Sequence, residues 1–174
     1  MYSPYLHKIQ KYLNDITKLP VFLAGGCVRD ELYGVIPKDY DAIIPYSGND
    51  LSEVHELMRM LSERLARAGI KSSVYQAYDQ ANSGPLTSFQ KMFQGCMKVE
   101  FTWGDVDLLF STFDDIDVHV ANHDCNLNQV YLDQDGNIIG ERVSELKFIE
   151  GISDERKAYM QDKFLALTAQ VDLL

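Results

Sequence analysis

The stretch VFLAGGCVRDELYGVIPKDYDAII, residues 21–44, decides the fold. Its first four residues, VFLA, are an apolar run that meets Gly25 and Gly26 at once. A short apolar run ended by glycines reads as a buried strand. The glycines turn the chain into a helix expected over about 26–33, with Gly34 just past its end. YDAII, residues 40–44, reads as a second strand, closed by Pro45. Asp39 and Asp41 bracket Tyr40 at its start. Residues i and i+2 of a strand point to one face, roughly 7 Å apart, so both carboxylates face one way and Tyr40 packs inward. Two like charges placed this way repel, and a cation between them removes the repulsion. Carboxylate oxygen is the ligand Mg²⁺ prefers.

A third acid has a similar setting. In WGDVDLLF, residues 103–110, Asp107 lies between Val106 and Leu108. MKVEFTW and VDLLFS read as a hairpin turning at Gly104-Asp105, which puts Asp105 in the turn. If the strands at 40–44 and 106–110 are neighbours, Asp107 joins Asp39 and Asp41. Three carboxylates can hold two Mg²⁺ ions about 3.5–4 Å apart, the arrangement of in-line phosphoryl displacement. Gly25 and Gly26, opening a helix, present backbone N–H groups where the helix dipole is positive, which suits a triphosphate. Each signal also has a plain alternative: solvated acids at strand ends, and an ordinary tight turn.

The rest of the chain mixes helices and hairpins. Tyr5, Ile9, Tyr12, Leu13 and Ile16 recur at helical spacing over residues 2–18, with Ser3 as cap and Pro4 in the first turn. Residues 51–68 are expected to form the longest helix, and KSSVYQAY (71–78) a strand. DQANSGPLTSFQ (79–90) has the composition of a loop. TFDDIDVHV is expected to open a helix capped by Thr112, and VYLDQDGNIIG to turn at Asp135-Gly136. ERVSELKFI (141–149) and the residues from Asp154 onward read as helical. This is an α/β (α+β) single domain.

Composition sets the outer bounds. The 174 residues carry 26 Asp and Glu against 16 Lys and Arg, a net charge of −10. That disfavours broad electrostatic binding of nucleic acid, which needs cations to displace counterions. Cys27, Cys96 and Cys125 are an odd set without C-x-x-C spacing, so neither a disulfide framework nor a zinc site is expected. With no membrane-length apolar run and no signal-like start, the expected location is the cytoplasm.

Taken together, residues 21–44 resemble the head-domain signature of the bacterial poly(A) polymerase and CCA-adding tRNA nucleotidyltransferase family. The matching positions are Gly25-Gly26-x-Val28-Arg29-Asp30, Leu32-x-Gly34 and Lys38-Asp39-x-Asp41. NHDCNLN, residues 122–128, resembles the family's Arg-Arg-Asp-Phe-Thr-Ile-Asn segment at Asp124 and Asn128. The resemblance implies the polymerase-β-like nucleotidyltransferase fold, a short mixed sheet with helices packed on it. It implies an enzyme moving an NMP from an NTP to a hydroxyl with two Mg²⁺ ions. Asp39 and Asp41 would bind the metals, with Asp107 as third carboxylate polarising the attacking hydroxyl. Gly25 and Gly26 would lie against the triphosphate, and Arg29 would reach it as a cation. Asp30 would hold the helix start. Lys38 would screen the carboxylates or touch phosphate. Asp124 would contact the nucleotide sugar or hold its segment in place.

The chain departs from the family pattern in places. Asn122 and His123 stand where the family has two arginines, and residues 151–174 lack its Asp-Pro-x-Arg neck start. Residues 1–150 are thus read as the head, and 151–174 as a C-terminal helix corresponding to a truncated neck. Three functions follow as expectations. One is an active transferase whose acceptor is an RNA 3′ end, a protein or a small molecule. Another is an inactive nucleotide-binding regulator. The last is a head subunit whose neck and body functions come from a partner chain.

Overall fold

The glycines, the aspartates and the hairpin turns assemble one mixed sheet. The computed structural model describes residues 1–46, 51–75 and 92–172. The expected loop at 79–90 and the end of the 71–78 strand lie outside the described residues. Helix α1 spans Pro4–Thr17, β1 Phe22–Leu23, α2 Gly26–Leu32, β2 Tyr40–Pro45 and α3 Leu51–Arg67. Then come β3 Lys71–Tyr75, β4 Phe93–Phe101, β5 Gly104–Ser111 and α4 Ile116–Ala121. A 3₁₀ turn at Asn126–Asn128, β6 Tyr131–Leu132, β7 Ile138–Ile139 and α5 Asp154–Asp172 complete the order.

The five-stranded sheet runs β1-β2-β5-β4-β3, and β6-β7 form a separate hairpin. β2 and β5 pair parallel; the other neighbours in the sheet are antiparallel. Alternation along the strands sends Ala42, Ile44, Met97, Val99, Val106 and Leu108 to one face. There they meet Leu6 and Leu13 of α1, Val28 of α2, and Val54, Met58, Leu61 and Leu65 of α3. Each fully buried aliphatic side chain contributes about 1.5–3 kcal/mol. Met160 and Leu167 of α5 join this same core. On the opposite face Ile43 and Leu109 pack with Ile116 and Val120 of α4 and with Tyr131.

Local chemistry explains the element ends. Ser3 Oγ accepts from the Leu6 N–H at 3.2 Å, and Lys18, at φ 59°, closes α1 with its N–H on the Asn14 carbonyl. The buried Gln10 bridges three elements. Its Nε2 donates to the Asp133 carbonyl at 2.7 Å, and its Oε1 accepts from the Leu23 N–H at 2.8 Å.

Four expectations are corrected. The β4–β5 turn is Thr102-Trp103, because pairing continues to Phe101 opposite Gly104. The Trp103 ring stacks on Phe101 at 4.8 Å and meets Tyr40 edge-on at 5.7 Å, which rewards placing Trp103 in the turn. Asp105 is therefore a strand residue. Helix α4 is capped by Asp115, whose side chain accepts from the Asp117 N–H at 2.9 Å. Thr112 is held back by its N–H bond to the Met92 carbonyl. Residues 141–149 form no helix, since their backbone groups are used elsewhere. Lys147 and Asn126 exchange hydrogen bonds, Ile149 N–H reaches the Asp124 carbonyl, and Val143 N–H reaches the Tyr33 hydroxyl. Finally, α5 with 19 residues is longer than α3 with 17.

Candidate active site

β2 and β5 carry the acids to one place. Asp41 lies directly opposite Asp107 in the parallel register, and Tyr40 opposite Val106. Paired residues of neighbouring strands share a face about 4.8 Å apart. Asp39, two residues before Asp41, sits exposed at the rim on that side of the strand. Tyr40 points the other way into the core, with its hydroxyl 2.6 Å from that of Tyr5. The acids occupy the same face as Ile43 and Leu109, one step beyond the apolar patch that α4 covers. The face thus changes from apolar to anionic where its helical cover ends.

Crowding marks the electrostatics. Burial, then Asp107, then Asp39 push the Asp41 carboxyl up to about 6. Asp107 is also pushed up, by burial and by Asp39 and Asp105, against an opposing pull from Lys98. Among the described residues, no hydrogen bond or ion pair engages the carboxylates of Asp39 or Asp41. No three His, Cys, Asp or Glu side chains among the described residues already enclose a metal position. The donor set nevertheless fits a hard divalent cation in kind: oxygen ligands on one face, carrying negative charge that Lys98 offsets only in part.

The glycine turn abuts this rim. β1 pairs with β2, and the Ala24 N–H donates to the Asp41 carbonyl at 3.2 Å. Gly25 follows at φ 68°, ψ −131°, a conformation only glycine takes without strain. Its N–H is already used by the Val130 carbonyl at 2.9 Å. N–H groups offered to a phosphate therefore start at Gly26. A Cβ on Gly26 would stand 3.4 Å from the Arg29 guanidinium, which lies over the turn. Beneath it, burial and then Asp41 push the Cys27 thiol up to about 12, so this cysteine is inert.

Arg29 and Asp124 belong to one hydrogen-bonded chain. Arg29 donates through Nε to Asp30 Oδ1 at 3.0 Å and through Nη1 to Asn128 Oδ1 at 2.8 Å. Asn128 Nδ2 donates to Asp124 Oδ1 at 2.8 Å, and Arg156 Nε to Asp124 Oδ2 at 2.5 Å. Burial would raise the Asp124 carboxyl, but Asn128 and Arg156 outweigh it and hold it low. The structure thus brings Asp39, Asp41 and Asp107 together, with Gly25, Gly26 and Arg29 adjoining. Asp124 is tied to α5, and Lys38 is exposed beside Asp39.

The sequence reading missed Arg156, Lys98 and His119. Lys98 lies opposite Asp107, a pairing that a correctly placed turn would have revealed. His119 is fully buried, with Nδ1 2.6 Å from Ser111 Oγ and with Nε2 left without a partner among the described residues. Burial, then the neighbouring His123, lower its pKa to about 3. Its folded value thus lies below the ordinary value near 6.5, and its stabilising effect, full above that value, is lost as pH falls toward 3. Urea unfolding at pH 7 and pH 5 should show the native protein losing about 2 kcal/mol more than His119→Gln. Equal losses in the two proteins would show that His119 charges freely in the fold.

No protein-family model matches the chain, and no curated protein matches it by sequence. Solved structures do share its fold. A "tRNA-processing enzyme (apo form I)" superposes with TM-score 0.51 at 17% identity, over 80% of this chain and 33% of that one. "The complex structure of CCA-adding enzyme with CTP" superposes with TM-score 0.50 at 17% identity, over 79% of this chain and 30% of that one. The chain spans about a third of the length of these structures. Its five-stranded mixed sheet and packed helices have the nucleotidyltransferase head fold that the glycine and aspartate signature implied.

Proposed function

We propose that the protein is a Mg²⁺-dependent nucleotidyltransferase that moves an NMP from an NTP to an acceptor hydroxyl. One observation carries the reading: the parallel register that sets Asp41 against Asp107, with Asp39 two residues earlier, beside the Gly25-Gly26 turn. Residues 1–150 carry the chemistry and residues 151–174 brace it through Arg156. Asp39, Asp41 and Asp107 would hold two Mg²⁺ ions. Bound there, the ions would supply Lewis acidity at the α-phosphate and charge neutralisation for the leaving pyrophosphate.

The chain's own residues do the rest. Asp107, across the sheet from Asp41, accepts the hydrogen bond of the acceptor hydroxyl and orients it. The hydroxyl oxygen forms the new bond to the α-phosphorus as its proton passes to Asp107, the α–β phosphoanhydride bond breaks, and pyrophosphate leaves. The N–H groups from Gly26 onward and the Arg29 guanidinium face the triphosphate, with Asn128 and Asp30 fixing the guanidinium plane. Lys38 screens the rim. Asp124 holds the 122–128 segment against α5.

The structural neighbour solved with CTP makes an NTP the natural donor, and tRNA processing makes an RNA 3′ end the first acceptor to test. A net charge of −10 gives the chain little grip of its own on RNA, so a partner chain or a protein or small-molecule acceptor belongs in the same screen. Buried free Cys27 and Cys125 suit a cytoplasmic setting.

A second reading rests on Arg29, whose guanidinium is already engaged by Asp30 and Asn128. In that reading the protein binds nucleotide and regulates a partner without turnover. The deciding experiment incubates the protein with Mg²⁺, each labelled NTP and a panel of RNA, protein and small-molecule acceptors. Metal-dependent pyrophosphate release coupled to acceptor labelling is expected. Calorimetric NTP binding with neither product would favour the regulator.

A further inference from the structure

Lys98 occupies a place on the sheet that the transfer chemistry does not use. It lies directly opposite Asp107 on β4. Its neighbours Met97 and Val99 are fully buried on the helical face. Lys98 therefore projects over the other face, the one that carries Asp41, Asp105 and Asp107. Its Nζ stands 3.6 Å from Asp105 Oδ2, with 42% of the side chain exposed. Asp105 shares the face of Asp107, two residues along β5. The ammonium therefore sits within the anionic rim, on a flexible stem able to swing out to solvent.

We propose that Lys98 is the resident counter-ion of this rim, holding the charge position that a divalent cation takes over, and so sets the cation concentration at which the site loads. The proposal rests on the metal-binding reading above. Without metal, the ammonium offsets part of the repulsion among Asp105, Asp107 and the acids of β2. Metal entry then requires the ammonium to withdraw. A unit charge about 6 Å from a divalent ion disfavours it by roughly tenfold even at the dielectric constant of water. Salt weakens that effect, because the site is open to solvent.

Mn²⁺ affinity, measured by calorimetry on the whole chain without nucleotide, tests the idea. Lys98→Met should bind Mn²⁺ about tenfold more tightly than the native protein at low salt, and the gap should shrink in 0.5 M salt. Lys98→Arg, which keeps the charge, should stay near native. Without metal, Lys98→Met should melt lower than native and gain more from added Mn²⁺. If Lys98→Met folds poorly, Lys98→Gln makes the same comparison. Equal or weaker Mn²⁺ binding by the neutral variants, with binding still abolished in Asp41→Asn, overturns the role of Lys98 and leaves the metal site standing. No Mn²⁺ binding by any protein, native included, overturns both.

Discussion

Asp41→Asn protein should release pyrophosphate from NTP roughly a thousandfold more slowly than native, about 4 kcal/mol of lost transition-state stabilisation, yet melt higher in metal-free buffer. The two effects have one cause. The native carboxylate is forced to stay charged beside Asp107 and Asp39 in a partly buried position, which lifts its pKa to about 6. A carboxyl whose folded pKa lies above the ordinary 3.8 costs the fold stability wherever it must be ionised. The cost is complete above pH 6, declines as pH falls through 6, and is gone below the unfolded value. Replacing it with an amide of the same shape should therefore raise metal-free stability by about 3 kcal/mol at pH 7, with little gain at pH 4. Added Mg²⁺ should stabilise native protein and leave Asp41→Asn unmoved. Thermal melts in chelator and in Mg²⁺, beside a pyrophosphate assay, give all of these readings. A less than tenfold loss of rate, or a lower metal-free melting temperature, would remove Asp41 from its assigned role.

Gly25→Ala should cost both stability and nucleotide affinity. At φ 68° and ψ −131° an alanine holds a strained backbone, worth about 1–3 kcal/mol. Its new Cβ would also meet the His123 ring at 3.4 Å, so strain rather than collision dominates. Relief of that strain means rotating the turn, which breaks the Gly25 N–H bond to Val130 and moves the N–H groups that follow. NTP binding should weaken about tenfold alongside the stability loss. Gly69→Ala is the matching control, at φ 75° with nothing within 4 Å of the added Cβ and remote from the site in the chain. It should lose stability by about 1 kcal/mol and bind NTP normally. Equal nucleotide affinity in Gly25→Ala and native protein would show that the turn does not touch the triphosphate.

How much of this was readable beforehand depended on whether the signal was local. Helix α1 was legible because Ser3, Pro4 and the apolar period all act within a few residues. The strand around Asp41 was legible from its short apolar run and the closing Pro45, and the inward Tyr40 from the two-residue period of a strand. Failures arose where a distant partner outbid a local preference. Gly104-Asp105 looks like a turn, but Trp103 gains more by stacking on Phe101 and Tyr40. That error of two residues hid Lys98, since a turn at 104–105 would have set it opposite Ser111 instead of Asp107. Residues 141–149 have helical composition, yet Asn126 and Asp124 draw their backbone into an extended strap. The neighbourhood of Asp39, Asp41 and Asp107 was inferable only conditionally, because no local rule says which strand adopts which neighbour.

Strand β5 enters the sheet between β2 and β4, although its hairpin partner β4 is the nearer in sequence. The hairpin can zip early, but the parallel seam with β2 must close a loop of some sixty residues and waits on it. The acidic rim therefore comes into being only when that long-range seam closes. Any partly assembled form, hairpin intact but seam open, carries every one of these side chains and no site at all, so cation binding doubles as a probe of whether the chain has finished folding.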